Sequence, residues 1–226
     1  MDQRVPLWRF SEAFLMSSPS PLLFEVLNRL NSLVCAVMYG VQPVNPPPLP
    51  ETGPAIVVAN HTSLSDPLVL LASANRRITF LMAQEIYERP LLQWVFRVFN
   101  CIPVRRGAVD VRAIRAMVRA LDRGDVVGIF PEGGIDQFRD EQGHEGVAYL
   151  VVKTGAPVIP AAIWWQKPRP ATLIGSLLSP CQAVVRYGAP LVFAGCSLSS
   201  DKPALSALTV QIMDAIKALQ VTLHTA

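Results

Sequence analysis

The chain has 226 residues, of which 51% are hydrophobic and 16% charged, and its formal net charge is +3. This length allows one domain with a full core, and the composition is too polar for a polytopic membrane protein. No basic run is interleaved with aromatic residues, so nucleic-acid binding is not expected. The four cysteines lie far apart without a CxxC pair, which argues against a zinc site or a disulfide framework and is typical of a reducing cytoplasm.

The first long apolar stretch, Leu22–Val41, has the pattern of an amphipathic helix. Four polar residues of this stretch share one helical face: Glu25, Asn28, Arg29 and Ser32. A membrane-spanning helix would place Glu25 and Arg29 in lipid, at a high energetic cost. We therefore expect a helix that lies in the membrane interface, with a core helix packed on the domain as the alternative.

A proline-rich segment follows this helix and is expected to be extended and semi-rigid. It divides the chain into three predicted regions. Residues 1–42 form an N-terminal membrane-interface helical region, residues 43–54 a linker, and residues 55–226 the main domain.

From Ala55 onward, apolar strands alternate with helices. The predicted strands are Ala55–Ala59, Ile78–Met82, Cys101–Val104, Val126–Phe130, Val158–Ile163 and Val184–Tyr187. The predicted helices are Pro67–Ala74, Pro90–Phe99, a helix capped by Asp110 that runs to about Asp122, Gly146–Thr154 and Lys202–Leu223. This alternation predicts an α/β fold with a mostly parallel central sheet flanked by helices. Several strands are continuously apolar, as expected when helices cover both faces.

The segment directly after the first of these strands contains His61 and, five residues later, Asp66. Histidine suits proton abstraction near neutral pH, and a carboxylate on its other ring nitrogen would fix the tautomer and stabilise the imidazolium. Pro67 favours a helix start, so the chain would fold Asp66 back onto His61. In the alternative interpretation Asp66 only caps the helix, and its polar neighbours are ordinary loop formers.

Two further strands are followed by polar residues, namely Arg105 and Arg106 after one strand and Glu132 and Gly133 after another. Sites in open α/β sheets lie at the carboxyl ends of strands, so these residues would converge with His61. Alternatively, the arginines form surface ion pairs and Glu132 caps the following turn. The histidines lack metal-binding spacing, and we expect no metal.

Four blocks in this order resemble the 1-acylglycerol-3-phosphate acyltransferase family of glycerolipid and lysophospholipid acyltransferases. Asn60–Asp66 matches its NHxxxxD motif, and Ile102–Arg105 is similar to its second block. Phe130–Gly133 matches the core of its FPEGTR block, and Val158–Pro160 matches its fourth, apolar block. The third block departs from the pattern, because Gly134–Asp136 stands where the family usually has Thr-Arg-Ser.

The resemblance implies that His61 takes a proton from a lipid hydroxyl while Asp66 orients it, and that Arg105 or Arg106 holds the acceptor phosphate. Backbone N–H groups near Gly133 and Gly134 would stabilise the oxyanion. Acyl-coenzyme A or acyl-carrier protein would be the co-substrate, with no further cofactor. The residues assigned to substrate binding are Asn60, Arg105, Arg106, Glu132 and Gly133.

The implied function is an O-acyltransferase of phospholipid biosynthesis that converts 1-acylglycerol-3-phosphate to phosphatidic acid. It would be a peripheral or monotopic protein on the cytoplasmic face of the cell membrane. Three alternatives stay open: an acyltransferase for a lysolipid without a phosphomonoester, such as lyso-ornithine lipid; a non-catalytic lipid-binding membrane protein; and a hydrolase.

Overall fold

The computed structural model describes residues 20–105, 110–135, 145–193 and 201–224. The strands in these ranges are β1 (Gln42–Pro43), β2 (Ala55–Ala59), β3 (Ile78–Ala83), β4 (Ile102–Val104), β5 (Val126–Ile129), β6 (Val158–Trp165) and β7 (Ala183–Tyr187). The helices are α1 (Pro21–Tyr39), α2 (Asp66–Ser73), α3 (Gln84–Tyr87), α4 (Pro90–Val98), α5 (Val111–Asp122), α6 (Gly146–Thr154), α7 (Leu173–Leu178) and α8 (Lys202–His224). All predicted strands and helices are present within two residues of their expected bounds. The short elements β1, α3 and α7 were not predicted.

The strands form one sheet in the order β1-β7-β6-β2-β5-β3-β4. Neighbouring strands are parallel except β6 and β7, which run antiparallel. The predicted α/β fold with a mostly parallel sheet is therefore confirmed. In this order β2 lies between β6 and β5, so the loops that follow β2 and β5 are neighbours at the carboxyl edge.

The central strand β2 is buried along its whole length, because helices cover both faces of the sheet. Ala55, Val57 and Ala59 pack with α1 and α2 on one face. Ile56 and Val58 pack with α5, α6 and α8 on the other. This two-sided burial is the physical reason for the continuous apolar run that marked the strand in the sequence.

Helix α1 has one buried face and one exposed apolar face. Phe24, Cys35 and Tyr39 pack into the core, and Glu25 forms an exposed ion pair with Arg29 at 3.1 Å. The exposed apolar stripe runs along the opposite side and consists of Leu22, Val26, Leu30, Leu33 and Val37. The helix is thus packed on the domain, as in the alternative interpretation, and it still presents apolar surface. Its position in the membrane interface stays a prediction. Among the described helices, α1 and α8 are long and apolar enough to cross a membrane, a test that core helices of soluble proteins also pass.

The start of the proline-rich segment lies against the edge of the sheet. Gln42 and Pro43 form β1, which pairs with β7, and the Val44 N–H donates to the carbonyl oxygen of Val185 at 2.9 Å. The side-chain amide of Asn45 bonds to both backbone groups of Tyr187. Proline is tolerated there because an edge strand does not need a hydrogen bond from every backbone N–H. The division into residues 1–42, 43–54 and 55–226 stays a prediction.

Close packing between β3 and β5 depends on a glycine. Gly128 lies opposite Phe80 in the parallel register, and the Phe80 ring occupies the space that a side chain at Gly128 would need. A Cβ atom there would overlap that ring and lie 2.7 Å from Cγ2 of Ile78. The Phe80 ring in turn stacks on Phe130 with ring centroids 5.8 Å apart. Gly128 therefore sets the position of an aromatic stack that leads toward the carboxyl edge of the sheet.

We expect Gly128→Ala to lower the free energy of unfolding by about 1–3 kcal/mol, because an added methyl group overpacks a filled core. Urea unfolding of purified protein measures this change. Gly146→Ala is the matched control, since its Cβ would meet nothing within 4 Å at the start of α6. Equal stabilities of the two variants would contradict the packing argument.

Candidate active site

His61 and Asp66 form a close pair at the carboxyl edge of the sheet. Nδ1 of His61 lies 2.9 Å from Oδ2 of Asp66, which confirms the predicted fold-back of the chain. The His61 side chain is 13% exposed, whereas that of Asp66 is fully buried. An ionised carboxylate only accepts hydrogen bonds, so the Nδ1–H of His61 donates and Nε2 keeps its lone pair.

The carboxylate of Asp66 is surrounded by hydrogen-bond donors. Its Oδ2 accepts from the backbone N–H of Thr62 at 2.7 Å and of Ser63 at 2.8 Å. Its Oδ1 accepts from the indole Nε1–H of Trp165, on β6, at 2.8 Å. Because Asp66 is the first residue of α2, the helix fixes its backbone while these donors fix its carboxylate. These hydrogen bonds take the place of solvent around the buried carboxylate.

Asn60 attaches the His61 loop to β6. Its side-chain amide donates to the carbonyl oxygen of Ile163 at 2.9 Å and accepts from the Ile163 N–H at 2.8 Å. The residue is 1% exposed. These contacts favour a structural role for Asn60 over the predicted contact with substrate.

The loop after β5 lies directly beside His61. Oε2 of Glu132 is 3.4 Å from the His61 backbone nitrogen, and Glu132 is buried. The Phe130 ring stacks on the imidazole with centroids 4.2 Å apart and an interplanar angle of 16°. Two residues of the Phe-Pro-Glu-Gly segment therefore hold the histidine, one through its backbone and one through its ring.

Gly133 is at the turn of the same loop and has φ +72°, which glycine adopts without strain. Its N–H donates to the carbonyl oxygen of Phe130 at 3.0 Å. This N–H group is thus engaged in the turn, and the expectation that N–H groups near Gly133 and Gly134 stabilise an oxyanion stays a prediction. Gly134 is buried next to it.

A buried hydroxyl network lies beneath the His61 loop. Ser176 Oγ, on α7, is 2.8 Å from Ser63 Oγ and 2.9 Å from Ser65 Oγ. The Tyr39 hydroxyl, at the end of α1, is 3.2 Å from Ser65 Oγ and donates to the carbonyl oxygen of Leu177 at 2.9 Å. Burial raises the pKa of Tyr39, while the hydrogen bond with Ser65 opposes that change. The network joins α1 and α7 to the loop that carries His61.

The comparisons with known proteins agree with this geometry. The family model described as Acyltransferase matches residues 41–164, which include the His61 loop and the loop after β5. The chain belongs to this acyltransferase family. It is therefore an acyltransferase, as predicted.

Two relatives are similar over most of the chain. The 1-acyl-sn-glycerol-3-phosphate acyltransferase of Bacillus subtilis (strain 168) is 23% identical over 189 residues, which are 83% of this chain and 92% of the relative. The crystal structure of the 1-acyl-sn-glycerophosphate (LPA) acyltransferase PlsC from Thermotoga maritima superposes with a TM-score of 0.66 at 22% identity. That superposition covers 88% of this chain and 79% of the other, and it supports the fold.

Arg105 of the acyltransferase lies at the same edge of the sheet but farther along it. It follows β4, which is three strands from β2, or about 14 Å at the usual strand spacing. Its Nε donates to Oε1 of Gln84 at 3.0 Å, and its backbone N–H donates to Asp110. Burial acts to raise the pKa of Asp110, but the N–H donors of Arg105 and of the first turn of α5 outweigh it, so that pKa lies below its ordinary value. Asp110 is the predicted N-cap of α5, and it also fixes the backbone of Arg105.

Other predicted features of the acyltransferase fall outside the described residues. They include Arg106, Asp136 and His144. Among the described residues, Cys35, Cys101 and Cys181 are free thiols, and burial raises the pKa of Cys35 and of Cys101 to about 12. Within the same ranges, no group of three or more His, Cys, Asp or Glu residues is placed to hold a metal ion.

Three side chains around the pair were missed in the sequence: Phe130, Trp165 and Tyr39. Phe130 belongs to a recognised motif, but a motif does not reveal that its ring stacks on His61. The contact of Trp165 with Asp66 joins residues 99 positions apart and depends on the β2–β6 register. The pair of tryptophans at the end of an apolar strand was the only sequence sign of it.

Proposed function

We propose that the protein transfers a fatty acyl group from an acyl thioester to the hydroxyl of a lysophospholipid, in phospholipid biosynthesis. The observation that carries this proposal is the buried Asp66 carboxylate on Nδ1 of His61, which leaves Nε2 as a base at the carboxyl edge of the sheet. Family membership supports acyl transfer, and the names of the two relatives support a glycerophosphate acceptor.

In the proposed reaction, Nε2 of His61 takes the proton of the acceptor hydroxyl as its oxygen attacks the thioester carbonyl carbon. A C–O bond forms and the carbonyl oxygen becomes an oxyanion. Asp66 stabilises the imidazolium that this step creates. When the tetrahedral intermediate collapses, the C–S bond breaks and His61 returns its proton to the leaving thiolate. Atoms and charges balance without a covalent enzyme intermediate.

The oxyanion requires a preorganised donor close to Nε2 of His61. The loop after β5 supports this role, because Phe130 stacks directly on the imidazole. Since the Gly133 N–H is bonded to Phe130, the backbone N–H of Gly134 is our candidate donor. A mechanism of this kind needs no resident metal or cofactor, and the thioester is a co-substrate, acyl-coenzyme A or acyl-carrier protein.

The acceptor supported best is 1-acylglycerol-3-phosphate, which would give phosphatidic acid. Arg105 is the described candidate for its phosphate, through charge-assisted hydrogen bonds. Two observations favour a second acceptor class, a lysolipid without a phosphomonoester such as lyso-ornithine lipid. Arg105 follows a strand about 14 Å along the sheet from β2. Ile135 also stands where the family usually has arginine.

The exposed apolar stripe of α1 supports a monotopic arrangement at a membrane surface, and we place the protein on the cytoplasmic face of the cell membrane as part of the proposal. It lies on the side of the sheet that also carries Tyr39, Trp165 and α2. A helix with one apolar face toward lipid and one face packed on the enzyme would hold the site where lysolipids reside.

We expect His61→Ala to lower kcat on the order of 10²-fold or more, because the general base is lost. The assay follows thiol release from an acyl thioester with purified protein and lysolipid. Circular dichroism serves as the control for folding. Activity near the wild-type value would remove the base assignment, and equally fast acyl release without acceptor would indicate a hydrolase.

The headgroup is tested with matched acceptors with and without a phosphomonoester. For 1-acylglycerol-3-phosphate, Arg105→Ala should raise KM roughly tenfold or more, because a charged hydrogen bond is lost. Arg123→Ala is the control, since Arg123 pairs with Asp125 beyond the last turn of α5. A wild-type preference for the acceptor without phosphate, or equal effects of the two variants, would favour the second acceptor class.

Membrane binding is tested by flotation with liposomes. We expect Leu30→Glu combined with Val37→Glu to abolish flotation, because charges on the exposed stripe oppose insertion. Val210→Glu on α8 is the control, since Val210 is 51% exposed and Leu30 53%, but on opposite faces of the sheet. These substitutions leave the buried residues of α1 in place, which a deletion of residues 1–42 would not. Flotation that is unchanged, or lost equally in the control, would refute the role of the stripe.

A further inference from the structure

The two oxygens of the Asp66 carboxylate have different partners. Three N–H groups converge on Oδ2, from the His61 ring and from the backbone of Thr62 and Ser63. Among the described residues, the hydrogen-bond donor to Oδ1 is the indole of Trp165 at 2.8 Å. Asp66 is fully buried, and Trp165 is 8% exposed. This oxygen is therefore shielded from bulk solvent.

We propose that Trp165 is a positioning residue that sets the proton affinity of the His61–Asp66 pair through its hydrogen bond to Oδ1. The inference rests on the proposed function, in which His61 is the base. The indole N–H stabilises the carboxylate charge on the oxygen remote from the imidazole. The same hydrogen bond holds the carboxylate in the orientation in which Oδ2 accepts from the His61 ring.

Trp165 is itself held in place from two sides. The guanidinium of Arg169 lies over its ring at 4.4 Å, and the Tyr39 ring packs edge-on with centroids 5.3 Å apart. Arg169 also donates to the carbonyl oxygens of Ser176 and Ser179, at the end of α7. The parallel β2–β6 register places β6 beside the strand that leads to His61. The indole therefore has a fixed geometry relative to Asp66, as a positioning role requires.

Loss of the indole donor should shift the pH dependence of the reaction in a predictable direction. When a buried carboxylate oxygen has no hydrogen-bond donor, its negative charge is less well stabilised. The carboxylate then attracts a proton more strongly. The protonated form of the pair then persists to higher pH, so the base form of His61 is less populated near neutrality. Within the described ranges, three other ionisable groups face the pair: Glu132 at the His61 N–H, Arg169 across the indole, and Tyr39 through Ser65. Each keeps a described hydrogen-bond partner when only the indole is changed.

The test is Trp165→Phe in the thioester and lysolipid assay. We expect kcat at neutral pH to fall about tenfold, the scale for a hydrogen bond to a charged group, while KM for donor and acceptor changes less than about twofold. The acidic limb of the kcat/KM profile should move to higher pH by about half a unit or more. Trp164→Phe is the matched control, because Trp164 is half-buried and points to the opposite face of β6.

A second variant guards against misfolding of Trp165→Phe. Benzothienylalanine at position 165 keeps the shape of the indole but replaces its N–H with sulfur, and it should give the same shift of the acidic limb. In an Asp66→Ala background the indole has no carboxylate to act on. There, Trp165→Phe should cause no further loss of residual activity.

The inference is overturned if the benzothienyl variant has the wild-type pH profile, if Trp164→Phe shifts the limb equally, or if the loss persists in the Asp66→Ala background. These results would assign Trp165 to packing alone. They differ from failure of the proposed function, which appears as retained activity of His61→Ala in the same assay.

Discussion

The charge of Asp66 is completely removed from water, and much of the structure serves to make this possible. A buried carboxylate costs several kcal/mol unless donors surround it. Here the donors come from the loop after β2, from the His61 ring and from the far end of β6. The loop conformation, the start of α2 and the strand register must therefore be correct together. The pair forms only in the folded state, although its two members are close in sequence.

The two faces of the sheet pack against different helices. One face carries α1, α2 and the residues that support the His61–Asp66 pair, including Tyr39 and Trp165. The other face packs against α5, α6 and α8 and supplies a second apolar cluster. Because the alternating residues of β2 belong to both clusters, the strand that leads into the site is held from both sides. This rigidity suits the proposed role of His61 as a base that must stay aligned with its carboxylate.

The sequence was sufficient to predict those features of the structure that have a local cause. Apolar runs, several of them continuous, identified the strands β2 to β7, and the spacing of His61 and Asp66 before Pro67 predicted their contact. The sequence was not sufficient to predict features that depend on tertiary contacts. The indole donor to Asp66 and the hydroxyl contact between Ser63 and Ser176 depend on strands and helices far apart in the chain. Sequence periodicity likewise does not reveal that β7 runs antiparallel or that the Gly133 N–H is bonded within its own turn.

Asn60 and Glu132 illustrate a related difficulty. Both belong to motifs, and motif membership suggested contact with substrate. In the structure, Asn60 bridges to the backbone of Ile163, and Glu132 lies at the backbone nitrogen of His61. A short motif thus contains residues that hold a site together as well as those that act in it, and only the folded geometry separates the two groups.

The Tyr39 hydroxyl has a consequence for how this enzyme can be re-engineered. It lies at the end of the helix with the exposed apolar stripe, one hydrogen bond from the serine beside the Asp66 carboxylate. A chimera that grafts a foreign anchor onto the chain at residue 42 would discard this phenol together with Phe24 and Cys35. The grafted segment would have to reproduce the shapes of these side chains as well as their hydrophobicity. Helix α1 and the His61 loop are therefore one structural unit, and a redesign of the helix surface has to be confined to the outer stripe.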